Sequence, residues 1–387
     1  MNFKTLCEEL GLHPECHDIK KLRILEKWCD ENVSQDIRFI GSVSERYNDY
    51  LELARIYLDE FLPKIPPALD VCVPEFDGRN TIQEAAFSGL DRILSALAPT
   101  GDCLNKPNPQ TMTPLHIAAI EGRFHTLSVL LSLGADANLA NKRMQLPIFS
   151  TLVMPVLYES DLKENKIKMF KLLKDKLPGS VKRQDNNGDT VLHLMAAHGF
   201  SDLMVELLRS NAELVYINNQ HRHYPVHTAI LNNQAECVHL LLQQKDVVTL
   251  ADSNGWVALH YAARYSGKDI VALCCDATQN LNYLDESGRT PIMLAAEVAN
   301  IAAMEALIQR GARVDITDEA GYSVLHHAAK GGNLDAVSWL LEHTTIDINA
   351  QDHHHHTALS ISAESGNDKM RDLLLAKGAI PERGLAF

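Results

Sequence analysis

One decapeptide keeps returning along this chain, and its spacing limits the fold more than any other feature. Its clearest copy is Thr113-Pro114-Leu115-His116-Ile117-Ala118-Ala119-Ile120-Glu121-Gly122. The same frame reads Thr190-Val191-Leu192-His193, Tyr224-Pro225-Val226-His227, Val257-Ala258-Leu259-His260, Thr290-Pro291-Ile292-Met293, Ser323-Val324-Leu325-His326 and Thr357-Ala358-Leu359-Ser360. Weaker copies begin at Asn80 and Leu146. The nine starts are separated by 33, 33, 44, 34, 33, 33, 33 and 34 residues. A unit this short cannot bury its own apolar face, so it must stack on its neighbours and grow a core by repetition.

Each place in the unit has a mechanical reading. Thr at the start can cap a helix by accepting from an orphan backbone N–H. Pro next to it fits the first helical turn, where a missing N–H costs nothing. The small pairs Ala118-Ala119, Ala262-Ala263, Ala295-Ala296 and Ala328-Ala329 let helices approach closely, and Gly122, Gly199, Gly332 and Gly366 can end the first helix in the left-handed conformation. A second helix carries an apolar pair seventeen and eighteen places after the start, as in Leu130-Leu131, Leu307-Ile308 and Leu340-Leu341. Turn sequences such as Asp252-Ser253-Asn254-Gly255 and Asp285-Glu286-Ser287-Gly288 precede the next start, with the chemistry of a hairpin. Helix, helix and finger repeated at this period resemble the ankyrin repeat. The resemblance covers residues 72–381, and the fold it implies is an all-α ankyrin-repeat solenoid: about nine helix-turn-helix repeats with β-hairpin fingers.

Residues 1–71 lie outside the pattern. Their helical spacing, ended by Pro63, Pro66 and Pro67, predicts an N-terminal helical cap for the first repeat or a separate interaction module. Residues 382–387 form a short tail. Repeat three is irregular. Its Leu172-Leu173 pair arrives 26 places after Leu146 instead of 17, which predicts an 11-residue insertion near residues 154–165, most of it between the two helices. Lys163, Lys166, Lys168, Lys171, Lys174 and Lys176 follow, a basic island in a chain of net charge −14.

That negative balance argues against nucleic acid as a partner. No apolar run reaches the ~18 residues of a membrane span, so no membrane insertion is expected. The first residues lack a basic start with an apolar run, and the eight cysteines form no C-x-x-C, which reads as a reducing, cytoplasmic setting. Cys274-Cys275 occupy the apolar-pair place of repeat six and are expected in the core. His353-His354-His355-His356 replace the usual turn of repeat nine. Two alternate imidazoles make a weak metal site, so neither metal nor cofactor is predicted. No nucleophile with a defensible base, nucleotide loop or zinc motif is present, and the chain is expected not to be an enzyme.

The ankyrin resemblance implies a monomeric scaffold that binds another protein through the finger tips and the exposed face of the first helices. Carried over by register, that surface includes His223, Trp256, Arg264, Tyr265, Arg289 and Tyr322. Lys163, Lys166 and Lys171 form a second candidate patch for an acidic partner. Trp256, Arg289 and Tyr322 stand immediately before the start of three consecutive units, which points to repeats six to eight. The degenerate first repeat and the insertion are similar to features of ankyrin effectors that intracellular bacteria deliver into host cells, which implies a host protein as partner. Two other classes stay open: an enzyme with its site in the N-terminal segment or the insertion, and an adaptor that senses metal through the His fingers.

Overall fold

The computed structural model describes residues 81–381 except 90, 92–93, 96–100 and 154–159. The expected N-terminal cap and the C-terminal tail lie outside the described residues. Clustering of contacts separates two compact units, divided between Asn186 and Asn187.

In the first unit, α1 (Thr81–Ser88) packs on α3 (Pro114–Ile120), with the short α2 (Gly101–Leu104) between them in sequence. α3 pairs with α4 (Phe124–Ser132), and α5 (Pro147–Ser150) packs beside α3. α6 (Ser160–Lys176) closes the unit. The second unit runs α7 (Val191–His198), α8 (Ser201–Leu208), α9 (Pro225–Leu231), α10 (Ala235–Leu242), α11 (Ala258–Tyr265), α12 (Lys268–Asp276), α13 (Pro291–Glu297), α14 (Ile301–Gln309), α15 (Val324–Lys330), α16 (Leu334–His343), α17 (Ala358–Glu364) and α18 (Asp368–Ala376). Odd-numbered helices of this unit form an inner layer, each packed on the next; even-numbered helices form the outer layer.

The core follows the register. The alanine pairs at 118–119, 262–263, 295–296 and 328–329 are all buried, as are the first members of the apolar pairs, Leu130, Leu207, Leu241, Cys274, Leu307, Leu340 and Leu374. Of the second members, Leu208 and Cys275 are also buried, while Leu131, Leu242, Ile308, Leu341 and Leu375 sit at the rim.

The start threonines do less capping than their chemistry suggests. Only Thr357 accepts from the backbone, at 3.2 Å from Ser360 N. Elsewhere the motif histidine takes the work. His116 Nδ1 accepts from Thr113 N–H at 3.2 Å, and His116 Nε2 lies 2.9 Å from Gln145 O in the next unit. His193, His260 and His326 repeat the arrangement, reaching His223 O, Arg289 O and His356 O; His227 reaches Leu250 O. An imidazole whose Nδ1 receives an N–H must be the neutral Nε2–H tautomer, which then donates to the carbonyl. Where Met293 replaces this histidine, Thr290 Oγ1 is buried with no partner.

The fingers are Asx turns; no strand occurs among the described residues. Consecutive tips are laced by single backbone bonds, Glu286 N–H to Asn254 O at 2.9 Å and Glu319 N–H to Ser287 O at 3.1 Å. The residue two before the start is left-handed in these turns, glycine at 188, 255, 288 and 321 and Thr111, Met144, Arg222 and His355 elsewhere, and at the glycines the neighbouring tip lies too close for a side chain. Gly255 has φ +77°, and a Cβ there would meet Glu286 N at 2.8 Å.

The insertion in repeat three is expected near residues 154–165, of which 154–159 lie outside the described residues. Its described part, from residue 160, lengthens the second helix: α6 has 17 residues against 9 in α4 or α12. Leu162 fills the space a side chain on Gly122 would need.

Candidate protein-binding face

The site is built from one aspartate per finger. In Asp252, Asp285, Asp318 and Asp352, Oδ1 accepts the backbone N–H groups two and four residues on, at 2.7–2.9 Å. That shapes the finger and turns Oδ2 toward the inner helices. Tyr261 OH donates to Asp252 Oδ2 at 2.6 Å, and His327 Nε2 lies 3.0 Å from Asp318 Oδ2. Asp285 Oδ2 accepts from Trp256 Nε1 at 3.0 Å and from Arg289 Nε at 2.9 Å. Burial pushes the Asp252 and Asp318 carboxyls up, but donors from Tyr261 and His327 and from the turn backbone outweigh it and hold both below the ordinary carboxylate value.

The side chains expected on the surface divide sharply. Trp256 is 9% exposed. It packs edge-on to Tyr261 at 5.3 Å, and two guanidinium groups lie near its ring, Arg264 at 5.9 Å and Arg289 at 5.8 Å. The expectation that Trp256 presents contact area is therefore corrected: an indole whose N–H is spent on a buried carboxylate belongs to the scaffold. Tyr265 is 56% exposed, with Arg264 at 5.7 Å from its ring and Trp256 and Tyr261 beneath it at 6.3 and 6.4 Å. Glu297 ties Arg264 (3.3 Å) to Arg289 (3.8 Å). Tyr322 is half-buried, stacked on His326 at 5.5 Å with Lys330 at 5.5 Å from its ring. His223 is half-buried beside Tyr261 at 5.4 Å, its pKa lowered first by burial. His223, Trp256, Tyr261, Arg264, Tyr265, Arg289 and Glu297 are thus linked contact by contact, and Tyr322 with Lys330 forms a second cluster on the next finger. Tyr261 and His327 were missed by reading finger positions alone. The column four places after each start, which holds Tyr261 and His327, would have revealed both.

The basic island does not hold together as a patch. Lys166 is fully buried, its Nζ donating to Ala119 O (3.1 Å), Ile120 O (2.8 Å) and Ser150 O (3.4 Å). Its assignment to a docking patch is corrected for that reason: it satisfies carbonyls at two helix ends. Lys163 is half-buried and Lys171 exposed. Lys168 pairs with Glu164 at 2.7 Å.

Other sequence candidates fall as follows. Cys237, Cys274 and Cys275 are buried free thiols, and burial pushes the Cys275 thiol up to about 11. Cys103 is disulfide-bonded, which departs from the reading of all eight cysteines as reduced. His354 and His356 rings lie 5.9 Å apart, and His356 is turned toward Asp352 and Glu364. No group of three or more potential ligands is placed to hold a metal among the described residues. No described helix is long and apolar enough to cross a membrane.

A family model described as "Ankyrin repeats (3 copies)" matches residues 162–250, 245–318 and 298–383, and one described as "Ankyrin repeat" matches 111–142. Among curated relatives, the chicken (Gallus gallus) nuclear factor NF-kappa-B p105 subunit is 30% identical over 207 residues, 51% of this chain and 21% of that protein. The mouse (Mus musculus) B-cell lymphoma 3 protein homolog is 28% identical over 205 residues, 51% of this chain and 46% of that one. A Rickettsia felis protein, named as an ankyrin repeat protein, is 26% identical over 150 residues, 32% of this chain and 39% of that one. The chain thus spans less than half the length of each of these relatives.

Proposed function

Because this chain belongs to the ankyrin-repeat family, a protein-interaction fold, we propose that it is a binding scaffold whose partner protein seats on the finger and inner-helix face of repeats six to eight. The observation that carries this is Tyr265: a large aromatic left 56% exposed, yet backed by Trp256 and Tyr261 and flanked by Arg264. A rigid, amphipathic ring on a buried support is what interface hot spots are made of. The test is site-specific crosslinking. A photoreactive phenylalanine analogue at Tyr265 should yield one dominant adduct in lysate, absent when the analogue stands at the outer-layer Gln309. Equal adducts from both positions would remove the assignment.

A finer version rests on the sequence pattern of the degenerate first repeat and the repeat-three insertion: a bacterial effector that acts as a monomer in the host cytoplasm on a host protein. A reporter fused to the full chain should then accumulate in host cells only when the bacterial secretion apparatus is intact. The enzymatic alternative places its site in the N-terminal segment, residues 1–71, or in the insertion near residues 154–165; residues 1–71 and 154–159 lie outside the described residues. Metal sensing through the His fingers has no third ligand placed beside them among the described residues.

A further inference from the structure

The outer layer carries a recess of its own, away from the fingers. α8, α10 and α12 enclose an open groove of about 440 Å³, within the ~300–1,000 Å³ range of clefts that hold ligands. Val205, Ala235, Leu240 and Leu273 supply its apolar wall, and Val205 is 37% exposed. Ser201, Asp202, Glu236 and His239 complete the lining. Ser201 Oγ donates to Glu236 Oε2 at 2.9 Å. Asp202 and Glu236 are both exposed, and neither has an ion-pair partner among the described residues.

Register explains why the groove is open. Elsewhere the outer helices are clasped by charge. Between α12 and α14, Lys268 lies 3.6 Å from Glu305 and Arg310 lies 2.8 Å from Asp276; between α16 and α18, Lys377 lies 2.7 Å from Glu342. Lys268 and Glu305 stand eleven and fifteen places after the starts of their own units. The same two places hold Ser201 and His239 across α8 and α10, and Ala235 and Ala272 across α10 and α12. These steps therefore lack that clasp, and two carboxylates stand unmatched beside bare hydrocarbon. Asp202 and Glu236 each lie in a first helical turn, where the dipole favours an acid. That accounts for their charge but not for the uncovered apolar wall beside them.

We propose that this groove is a second docking site, for a partner protein segment that seats an aliphatic side chain against Val205, Leu240 and Leu273 and sets a lysine or arginine against Asp202 and Glu236. The segment supplies the base that the outer layer carries at its other steps and lacks here. The site lies on the opposite layer from Tyr265 and is independent of the reading given for the finger face.

The test uses three fluorescein-labelled peptides and the full chain at low ionic strength, followed by anisotropy: Arg-Leu-Arg-Leu-Arg, Arg-Ser-Arg-Ser-Arg and Glu-Leu-Glu-Leu-Glu. The first should bind about ten-fold more tightly than the second, from burial of one aliphatic side chain, and the third should not bind. Asp202→Asn/Glu236→Gln should weaken the first about five-fold, the effect of two partly exposed charge pairs. Ser201→Lys/His239→Glu, which installs the clasp of α12 and α14, should close the groove and reduce the first peptide to the level of the second. Equal binding of the two arginine peptides, no binding of either, or binding unchanged in both double variants would overturn the proposal. Binding that only Tyr265→Ala weakens would move the peptide to the finger face and overturn it as well.

Discussion

Lys166 Nζ donates to the carbonyl oxygen of Ile120 across 2.8 Å, from a side chain with no exposed surface. Ile120 ends α3, so the ammonium caps that helix from the outside, where carbonyls lack intrahelical partners and the dipole favours a cation. The lengthened α6 of repeat three thereby fastens repeat two as well as its own.

Lys166→Ala should destabilise the chain by ~3 kcal/mol, from lost packing and carbonyls left without donors. Burial lowers the Lys166 pKa to about 8, below its unfolded value of ~10.4. The native state therefore releases its proton first. Between those two values the unfolded chain binds more protons, so stability rises with pH across that window by up to ~1.4 kcal/mol per unit. Urea unfolding of wild type and Lys166→Met at pH 7.5 and ~10 checks it: wild type should gain relative to the Met variant. A constant difference between them would show the ammonium is not desolvated.

Trp256 and Tyr265 should separate stability from binding. Trp256→Ala removes a buried ring and the donor to Asp285, and should cost ~3 kcal/mol or more in urea unfolding. Trp256→Phe keeps the ring while Arg289 still serves Asp285, so its cost should be ~1 kcal/mol. Tyr265→Ala should change stability by less than ~0.5 kcal/mol and weaken partner binding by ~2 kcal/mol. A stable Trp256→Ala variant with impaired binding would reverse the two roles.

The contrast shows what the sequence could yield. Register follows from backbone rules, and a 33-residue repeat states those rules nine times, so helix ends, buried alanine pairs and left-handed glycines could all be placed. Gly122 and Gly199 adopt φ +73° and +72° as their positions required. Side-chain direction is not fixed by register. Trp256 and Tyr322 occupy equivalent places, yet the first is buried because Asp285 of the next finger accepts its N–H, while the second stacks on His326. Lys166 looked like one of six solvent-facing lysines. Only the docking of α6 against α4 and α5 shows that it sits on the inward stripe with Met169, Phe170 and Leu173.

Acid should unfold the chain through its motif histidines. Burial, reinforced by the neighbouring His223, lowers the His227 pKa to about 3, against an unfolded value of ~6.5. Its native pKa is depressed, so its contribution is complete above the unfolded value and is lost as pH falls from there toward 3, by ~1.4 kcal/mol per pH unit. His116, His260 and His326 are shifted the same way, burial being the first cause in each. Urea midpoints at pH 7.5, 5.5 and 4.5 should fall steeply, and less steeply in His227→Gln. Parallel slopes in the two proteins would show that His227 titrates normally.

His355 stands where four other fingers carry glycine. The residue two before each start is left-handed at Gly188, Gly255, Gly288 and Gly321, and His355 adopts φ +67° in the same place. A side chain there costs ~1–2 kcal/mol relative to ordinary backbone, and glycine's extra unfolded entropy returns ~0.5–1 kcal/mol of that. The imidazole offers little in exchange: it is exposed, and its Nδ1 lies 3.3 Å from Gln351 Oε1. His355→Gly should therefore stabilise the chain by ~0.5–1 kcal/mol. His354→Gly, at an adjoining residue outside the left-handed region, gains no such relief and should destabilise it by a similar amount. Both variants remove one imidazole from the same run, so any effect of metal binding or local charge is common to them. Their difference in urea unfolding, ~1–2 kcal/mol in favour of the glycine at 355, isolates the backbone. Equal effects of the two substitutions would mean that finger nine holds His355 without strain.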